Sequence, residues 1–283
     1  MARPGSAGIR GSIQPAALGS TRWRSASGSC RRNESGTEEE TSYIGSQKEG
    51  LLVAEGALTG LPEPVQRYMK YTGVVGKPWI HNVVLKQAGR FRQGLDRPWM
   101  PMTAIQTYTV SPPSFAWDAR FRLMGLPLLR ARDEYRSGRG HMFAKLAGLY
   151  TLFDVAGEKL DQGAMLRHLS EMIWFPTAFL EENVSWRAVD GHSAEVEFSD
   201  AGKSVSGHLF FDRDGRPINF TAKRYRETSG DFSLDPWSTP ITGYGVRAGL
   251  QLPTRGQAVW NLPGGDLSYV DLEIEEVEYN TTA

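Results

Sequence analysis

The spacing of apolar and polar positions changes period three times along this chain. Leu61-Pro62-Glu63-Pro64, followed by Val65, Tyr68, Met69 and Thr72, puts apolar groups at helical spacing behind a proline-marked start. This predicts a short amphipathic helix, ended by Gly73 and Gly76. From His81 the period becomes two. Val83, Leu85, Gln87, Gly89 and Phe91 share one face, Met102 to Val110 form the next strand, and Phe115, Trp117, Ala119, Phe121 and Leu123 alternate with Ala116, Asp118, Arg120 and Arg122. Leu128 to Arg136 adds a fourth. Consecutive strands without intervening helices argue for antiparallel pairing. The helical period then returns: Glu158 to Ile173 place Leu160, Ala164, Met165, Leu166, Leu169, Met172 and Ile173 on one broad face. Glu158 and Asp161 in its first turn complement the helix dipole, and Pro176 stops it.

The strand pattern resumes after the helix. Val184 to Val189 and Ser193 to Phe198 flank Asp190-Gly191, a dipeptide that tolerates positive φ at a hairpin turn. Val205 to Phe211 and Ile218 to Ala222 form a second hairpin, with Lys223, Arg224, Tyr225 and Arg226 at its end. Glu227 to Thr254 is rich in Gly, Pro, Ser and Thr and gives no strand signal; Gln257 to Leu262 and Leu267 to Tyr279 give two more strands around Gly264-Gly265. The last strand shifts phase at Glu275-Glu276, which predicts a bulge that bends the edge. The total is about nine to eleven strands, and an antiparallel sheet of that size curls or closes. The expected fold is mainly β (α+β): a single large curved antiparallel sheet or half-barrel. A central helix packs on its concave face and a short helix precedes it.

Composition narrows the classes. The chain has 283 residues, 40% of them hydrophobic, which allows one or two domains; a single β-rich domain over residues 51–283 is expected. The 32 Lys and Arg balance 32 Asp and Glu, removing the overall electrostatic argument for nucleic acid. Cys30 is the sole cysteine, so intrachain disulfides and Cys-rich metal sites are excluded. Residues 1–50 differ from the rest: six arginines and no acid up to Asn33, then Glu38, Glu39 and Glu40, with no hydrophobic period. Such a segment is expected to be disordered. Its start also fits an organellar transit peptide or a misassigned start codon. No uncharged apolar run approaches the ~18 residues of a membrane span, so the expected location is cytoplasmic, with no transmembrane segment.

The segments LPEPVQRYMKYTG, DEYRSGRGHM, GLYTLFDVAG, LRHLSEMIWFPTAFL and EVEYN, with the Gln106/Trp117 strand pair, resemble an uncharacterised bacterial domain family of unknown function over about residues 61 to 280. The resemblance implies one fold unit and no defined chemistry. Members of the family that it resembles are often preceded by a membrane segment, for which this chain shows no matching apolar run. The expected architecture is also similar to periplasmic lipoprotein-carrier half-barrels and to mycobacterial lipid-carrier lipoproteins, an analogy of fold alone.

Candidate chemistry gathers around the central helix. Arg167 and Glu171 are four apart and His168 and Glu171 three apart, so both pairs can touch. Arg167 with Glu171 is a substrate clamp, an acid/base pair or a plain intrahelical ion pair. His168 with Glu171 supplies only two potential metal ligands, and no metal is expected. Strand alternation puts Arg130, Arg132, Glu134 and Arg136 on one face and Asp133 and Tyr135 on the other, with Leu129 and Ala131. An acid on an apolar face must be paired or functional, so Asp133 is expected to meet Arg167 or Arg224. Asp154 is either a helix cap or a polar group in the cavity. Trp174, Phe175 and Phe179, with Tyr150 and Phe153 upstream, plug the half-barrel or line a ligand pocket. Gly138-Arg139-Gly140 lacks the context of a phosphate loop, and no nucleophile elbow or dinucleotide fingerprint occurs; no cofactor is expected.

Three readings follow. The first is non-enzymatic binding of an apolar or amphipathic, lipid-like molecule, with Tyr135, Tyr150, Phe153, Trp174, Phe175 and Arg224 as ligand-binding residues. The second is an enzyme whose cavity holds Asp133, Arg167, His168 and Glu171 for acid/base or hydrolytic chemistry. The third is a partner-binding domain with a solid core. An empty or a filled interior separates them.

Overall fold

The computed structural model describes residues 48–123, 125–228 and 231–281. Nearly all of the expected disordered extension, with Cys30 and the Arg-rich start, lies outside the described residues. Within them α1 (Glu63–Thr72) forms as its spacing requires, and Gly73 closes it with φ 72°, a left-handed conformation that glycine adopts without strain. Six strands follow: β1 (Asn82–Phe91), β2 (Met100–Thr109), β3 (Ser114–Leu123), β4 (Leu126–Arg136), β5 (Arg139–Leu146) and β6 (Tyr150–Ala156). Then come α2 (Glu158–Glu171), two 3-10 turns (Met172–Trp174, Pro176–Leu180), and β7 (Val184–Asp190), β8 (Ser193–Asp200), β9 (Lys203–Phe211), β10 (Pro217–Thr228), β11 (Asp231–Ser238), β12 (Ile241–Arg247), β13 (Leu250–Leu262) and β14 (Gly265–Tyr279).

All fourteen strands belong to one open antiparallel sheet, ordered β6, β5, β4, β3, β2, β1, β14, β13, β11, β10, β9, β8, β7, with β12 alongside β13. Four strands exceed expectation. Residues 139–156, for which the pattern predicts no strand, form a hairpin, and the stretch from 227 to 254 contains β11 and β12. Sequence alternation misses them for physical reasons. Every residue of β6 is exposed, so no buried face imposes a period of two. β12 carries Gly243 and Gly245, and at Gly243 a β-carbon would come within 2.8 Å of the Arg255 Cβ, so a residue that reads as loop serves close strand contact. The phase shift in β14 is a bulge: Lys86 faces Glu276 and Gln87 faces Ile274, leaving Glu275 as the extra residue.

The curl of the sheet follows from what α2 touches. The helix packs on β4, β5 and β6 and also on β9 and β10. Strands β5 and β10 are eight places apart in the sheet order. At about 4.8 Å per strand a flat sheet would separate them by about 38 Å, far more than a helix diameter of about 10 Å. The sheet therefore wraps the helix. Accordingly α2 is buried nearly all round, its inward set including Asp161, Met165, Leu166, His168, Leu169 and Ser170. Turn-to-turn contacts clip the two arms together without a backbone ladder. The Tyr135 hydroxyl and Gly138 N–H donate to Asp200, and Lys203 Nζ donates to the Gly138 carbonyl at 3.0 Å and to Asp161 at 2.6 Å.

Candidate functional site

A cavity of about 480 Å³ lies between α2 and the concave face of the sheet. Its origin can be read in the strand registers. Ala104 of β2 faces Ala119 of β3, Ala119 faces Ala131 of β4, and Ala131 faces Ala144 of β5, so one transverse row across four strands is alanine throughout. Bulky Met102, Phe121 and Leu129 form the next row on one side, and Gln106, Trp117, Asp133 and Met142 the row on the other. Four methyl groups between larger side chains leave a trough in the inner face, and Ala131 and Ala144 line the cavity. Most of the wall is apolar, with Phe91, Met100, Met102, Phe121, Trp237 and Ile274 among its residues.

Polar groups meet at one end, under α2. Arg167 donates from Nη1 to Asp133 Oδ2 at 2.7 Å, from Nε to Glu171 Oε1 at 2.9 Å and from Nη2 to Gln106 Oε1 at 3.2 Å. Glu171 Oε2 also accepts from Gln106 Nε2 at 2.9 Å and from the Tyr108 hydroxyl at 3.0 Å. Gln87 donates to Gln106 at 3.0 Å and accepts from the Trp117 indole at 2.9 Å. The Arg167 guanidinium also lies over the Trp117 ring, 4.9 Å from its centroid. Asp133 and Arg167 are thus fixed by strand alternation on β4 and by the helix face opposite it. Burial pushes the Tyr108 phenol well above its ordinary pKa, and Glu171 adds to the effect. Asp133 Oδ1 is buried and has no partner among the described residues.

Of the acid/base candidates, Asp133, Arg167 and Glu171 come together and line the cavity. His168 does not. Its ring lies among Tyr108, Phe115, Tyr135, Phe175 and Phe198, with centroids 5.3–6.3 Å away. Burial alone pushes its pKa down to about 3, so it is a neutral member of an aromatic cluster. The reason is helical geometry: one residue past Arg167 turns the side chain by about 100° into the other half of the core. Asp154 is also outside the cavity, accepting a bond from His141 Nε2 at 2.7 Å on the exposed face of the sheet.

The aromatic candidates divide likewise. Phe153, Trp174 and Arg224 line the cavity. Tyr135 and Phe175 are buried in the core and Tyr150 is exposed at the edge strand, so the structure does not bring these three into the cavity wall. Sequence reading missed Trp117 and Gln87 as wall residues, although both are inward on alternating strands. It also missed Trp237 and Tyr269. Trp237 belongs to β11, which reads as loop. Tyr269 donates nothing to a sequence motif and becomes visible only through the register of β13 with β14.

Comparison with known proteins places the chain in a family. A model described as a family of unknown function, DUF6544, matches residues 52–272, and the chain belongs to that family. No curated protein matches it. Among solved structures it is similar to a DUF1329 family protein from Desulfovibrio piger, at 10% identity over 72% of this chain and 88% of that one, with a TM-score of 0.42. It is similar to a LolA superfamily protein from Nitrosomonas europaea, at 9% identity over 78% and 93% with a TM-score of 0.42. It also resembles a putative outer membrane lipoprotein-sorting protein domain from Vibrio parahaemolyticus, at 8% identity over 78% and 92% with a TM-score of 0.40. The expected cytoplasmic location is corrected here: one of these similar structures is described as an outer membrane lipoprotein-sorting domain, a description of that protein alone. The physical basis of that expectation was also weak: among the described residues no helix is long and apolar enough to cross a membrane, which does not assign a compartment.

Proposed function

We propose that this protein binds an apolar or amphipathic small molecule in the cavity between α2 and the sheet, without transforming it. The observation that carries this reading is the cavity itself, about 480 Å³ of space walled mainly by apolar side chains. Its size falls within the range of about 300–1,000 Å³ of small-molecule sites. The alanine row supports it, since larger aliphatic residues there would fill the core at native density. The Asp133–Arg167–Glu171 cluster is occupied by mutual bonds, and the neighbouring Ser170 hydroxyl donates to the Arg167 carbonyl and not to a carboxylate, which favours anchoring α2 and shaping the polar end of the cavity over acid/base catalysis.

Native mass spectrometry of protein purified from cells tests the reading. A lipid-sized adduct, or a thermal shift on adding fatty acids or lysolipids to delipidated protein, is expected. A clean unliganded mass together with no shift overturns it.

A further inference from the structure

The charges of the polar cluster under α2 are paired with one another, but a second charged group of the cavity wall has no such partner. Arg224 on β10 lines the cavity, and among the described residues no carboxylate pairs with it. Asp235, which faces it in the β10–β11 register, is held by Arg226 at 2.7 Å and by Ser233 at 2.7 Å. Among the described residues the guanidinium makes one hydrogen bond, from Nη1 to the Tyr269 hydroxyl at 3.2 Å, and it lies over the Trp237 ring at 4.9 Å. With five N–H donors, most of its capacity is unused.

The surroundings hold the group in place. Gly163 sits in the interior of α2, where glycine costs about 0.5–1 kcal/mol relative to alanine; a β-carbon there would come within 3.2 Å of Arg224 Nε. The helix is thus opened at the point where Arg224 lies against it. One turn face along, Gln162 fastens the same strand, donating to the Lys223 carbonyl at 2.8 Å and accepting from Tyr225 N–H at 3.3 Å. Tyr269 adds a second donor. Its oxygen accepts from both Arg224 and the Trp237 indole, the latter at 3.0 Å, so its own O–H is left to donate, and Tyr269 also lines the cavity.

We propose that Arg224 and the Tyr269 hydroxyl form an anion seat in the cavity wall, so that the ligand is an anionic amphiphile: its carboxylate or phosphate rests on these donors and its chain fills the apolar remainder. This rests on the ligand-binding reading above and specifies the ligand's charge. Planar guanidinium donors and an adjacent hydroxyl suit either oxyanion. Trp237 and the glycine-opened helix keep the guanidinium from folding away, which limits the ordering cost on binding.

The test titrates delipidated protein with oleate, with an oleoyl lysophosphatidate and with neutral oleyl alcohol. The native chain is expected to bind one or both anions at least tenfold more tightly than the alcohol. Arg224→Gln brings anion affinity down to that of the alcohol, Tyr269→Phe reduces the preference several-fold, and Arg224→Lys keeps part of it. Whichever anion shows the Arg224-dependent preference identifies the headgroup. Equal affinity for anions and alcohol in the native chain, or an undiminished preference in Arg224→Gln, overturns the anion seat and leaves the cavity reading standing. Failure of all three ligands overturns both. Melting curves of the variants confirm that each is folded.

Discussion

At the level of single residues the interior holds an ion-paired cluster in one place and a neutral imidazole among aromatic rings in another. His168 has its pKa depressed to about 3 by burial, against about 6.5 in the unfolded chain. Below pH 6.5 the unfolded chain takes up a proton that the native chain refuses, so stability falls as pH drops from 6.5 towards 3. At pH 5 this one residue accounts for about 2 kcal/mol of that loss. His168→Phe, which keeps a ring among rings, is expected to flatten the fall in denaturation midpoint between pH 7 and pH 5; an unchanged slope would show that other groups govern acid sensitivity. Arg167 presents the opposite case, a cation shared by the buried carboxylate of Asp133 at 2.7 Å and the partly buried one of Glu171 at 2.9 Å. Arg167→Met leaves both carboxylates without a counter-charge, Asp133 in the interior, and is expected to cost about 3 kcal/mol in urea unfolding at pH 7. Part of this was visible in sequence. Asp133 stands on the apolar side of an alternating strand and Arg167 on a helix that must face it. Gln106 and Tyr108 lie on the same inward face, but nothing in their type says that they complete the cluster.

At the level of elements, legibility tracked burial. Strands with one wet and one dry face, β1 to β4 and β8 to β10, carry a period of two; β6, exposed throughout, and β12, built around two glycines, do not. α2 was legible in its length but not in its surroundings, because a helix enclosed on nearly every side shows a broad apolar face without saying which strands enclose it. Its glycines acquire meaning only in the folded chain. Gly140 of β5 seats the helix: a β-carbon there would meet the Leu160 carbonyl and the Ala164 methyl at 2.9 Å, and its N–H donates to Asp161 at 2.8 Å. Gly163 accommodates Arg224. In an ordinary helix interior, glycine to alanine gains about 1 kcal/mol. Gly163→Ala in the native chain is expected to gain less, since Arg224 must shift by a few tenths of an ångström, and to recover the full gain when combined with Arg224→Ala. Equal effects in the two backgrounds, measured by denaturant midpoints, would mean that the helix does not yield space to the arginine.

At the level of the whole molecule, the cavity is a property of register rather than of any local sequence. Four alanines at positions 104, 119, 131 and 144 are unremarkable in the chain, and they become a trough only because three hairpins bring them side by side. Pattern reading fixes which face Ala104, Ala119 and Ala131 take but not their neighbours across the strand gap, since a slip of two residues preserves alternation and would scatter the row. The trough therefore offers a test of the whole arrangement. Ala131 sits between Ala119 and Ala144 and lines the cavity. Ala131→Phe projects a ring into the empty space, so the overpacking that costs about 1–3 kcal/mol in a filled core is relieved here. The variant is expected to melt at or above the native temperature while losing at least tenfold in affinity for the amphiphile that the native chain binds. Ile105→Phe, on the outward face of β2, serves as the control and leaves binding unchanged. A variant that melts several degrees lower and still binds would mean that the space is too narrow for the ring and that the ligand lies elsewhere.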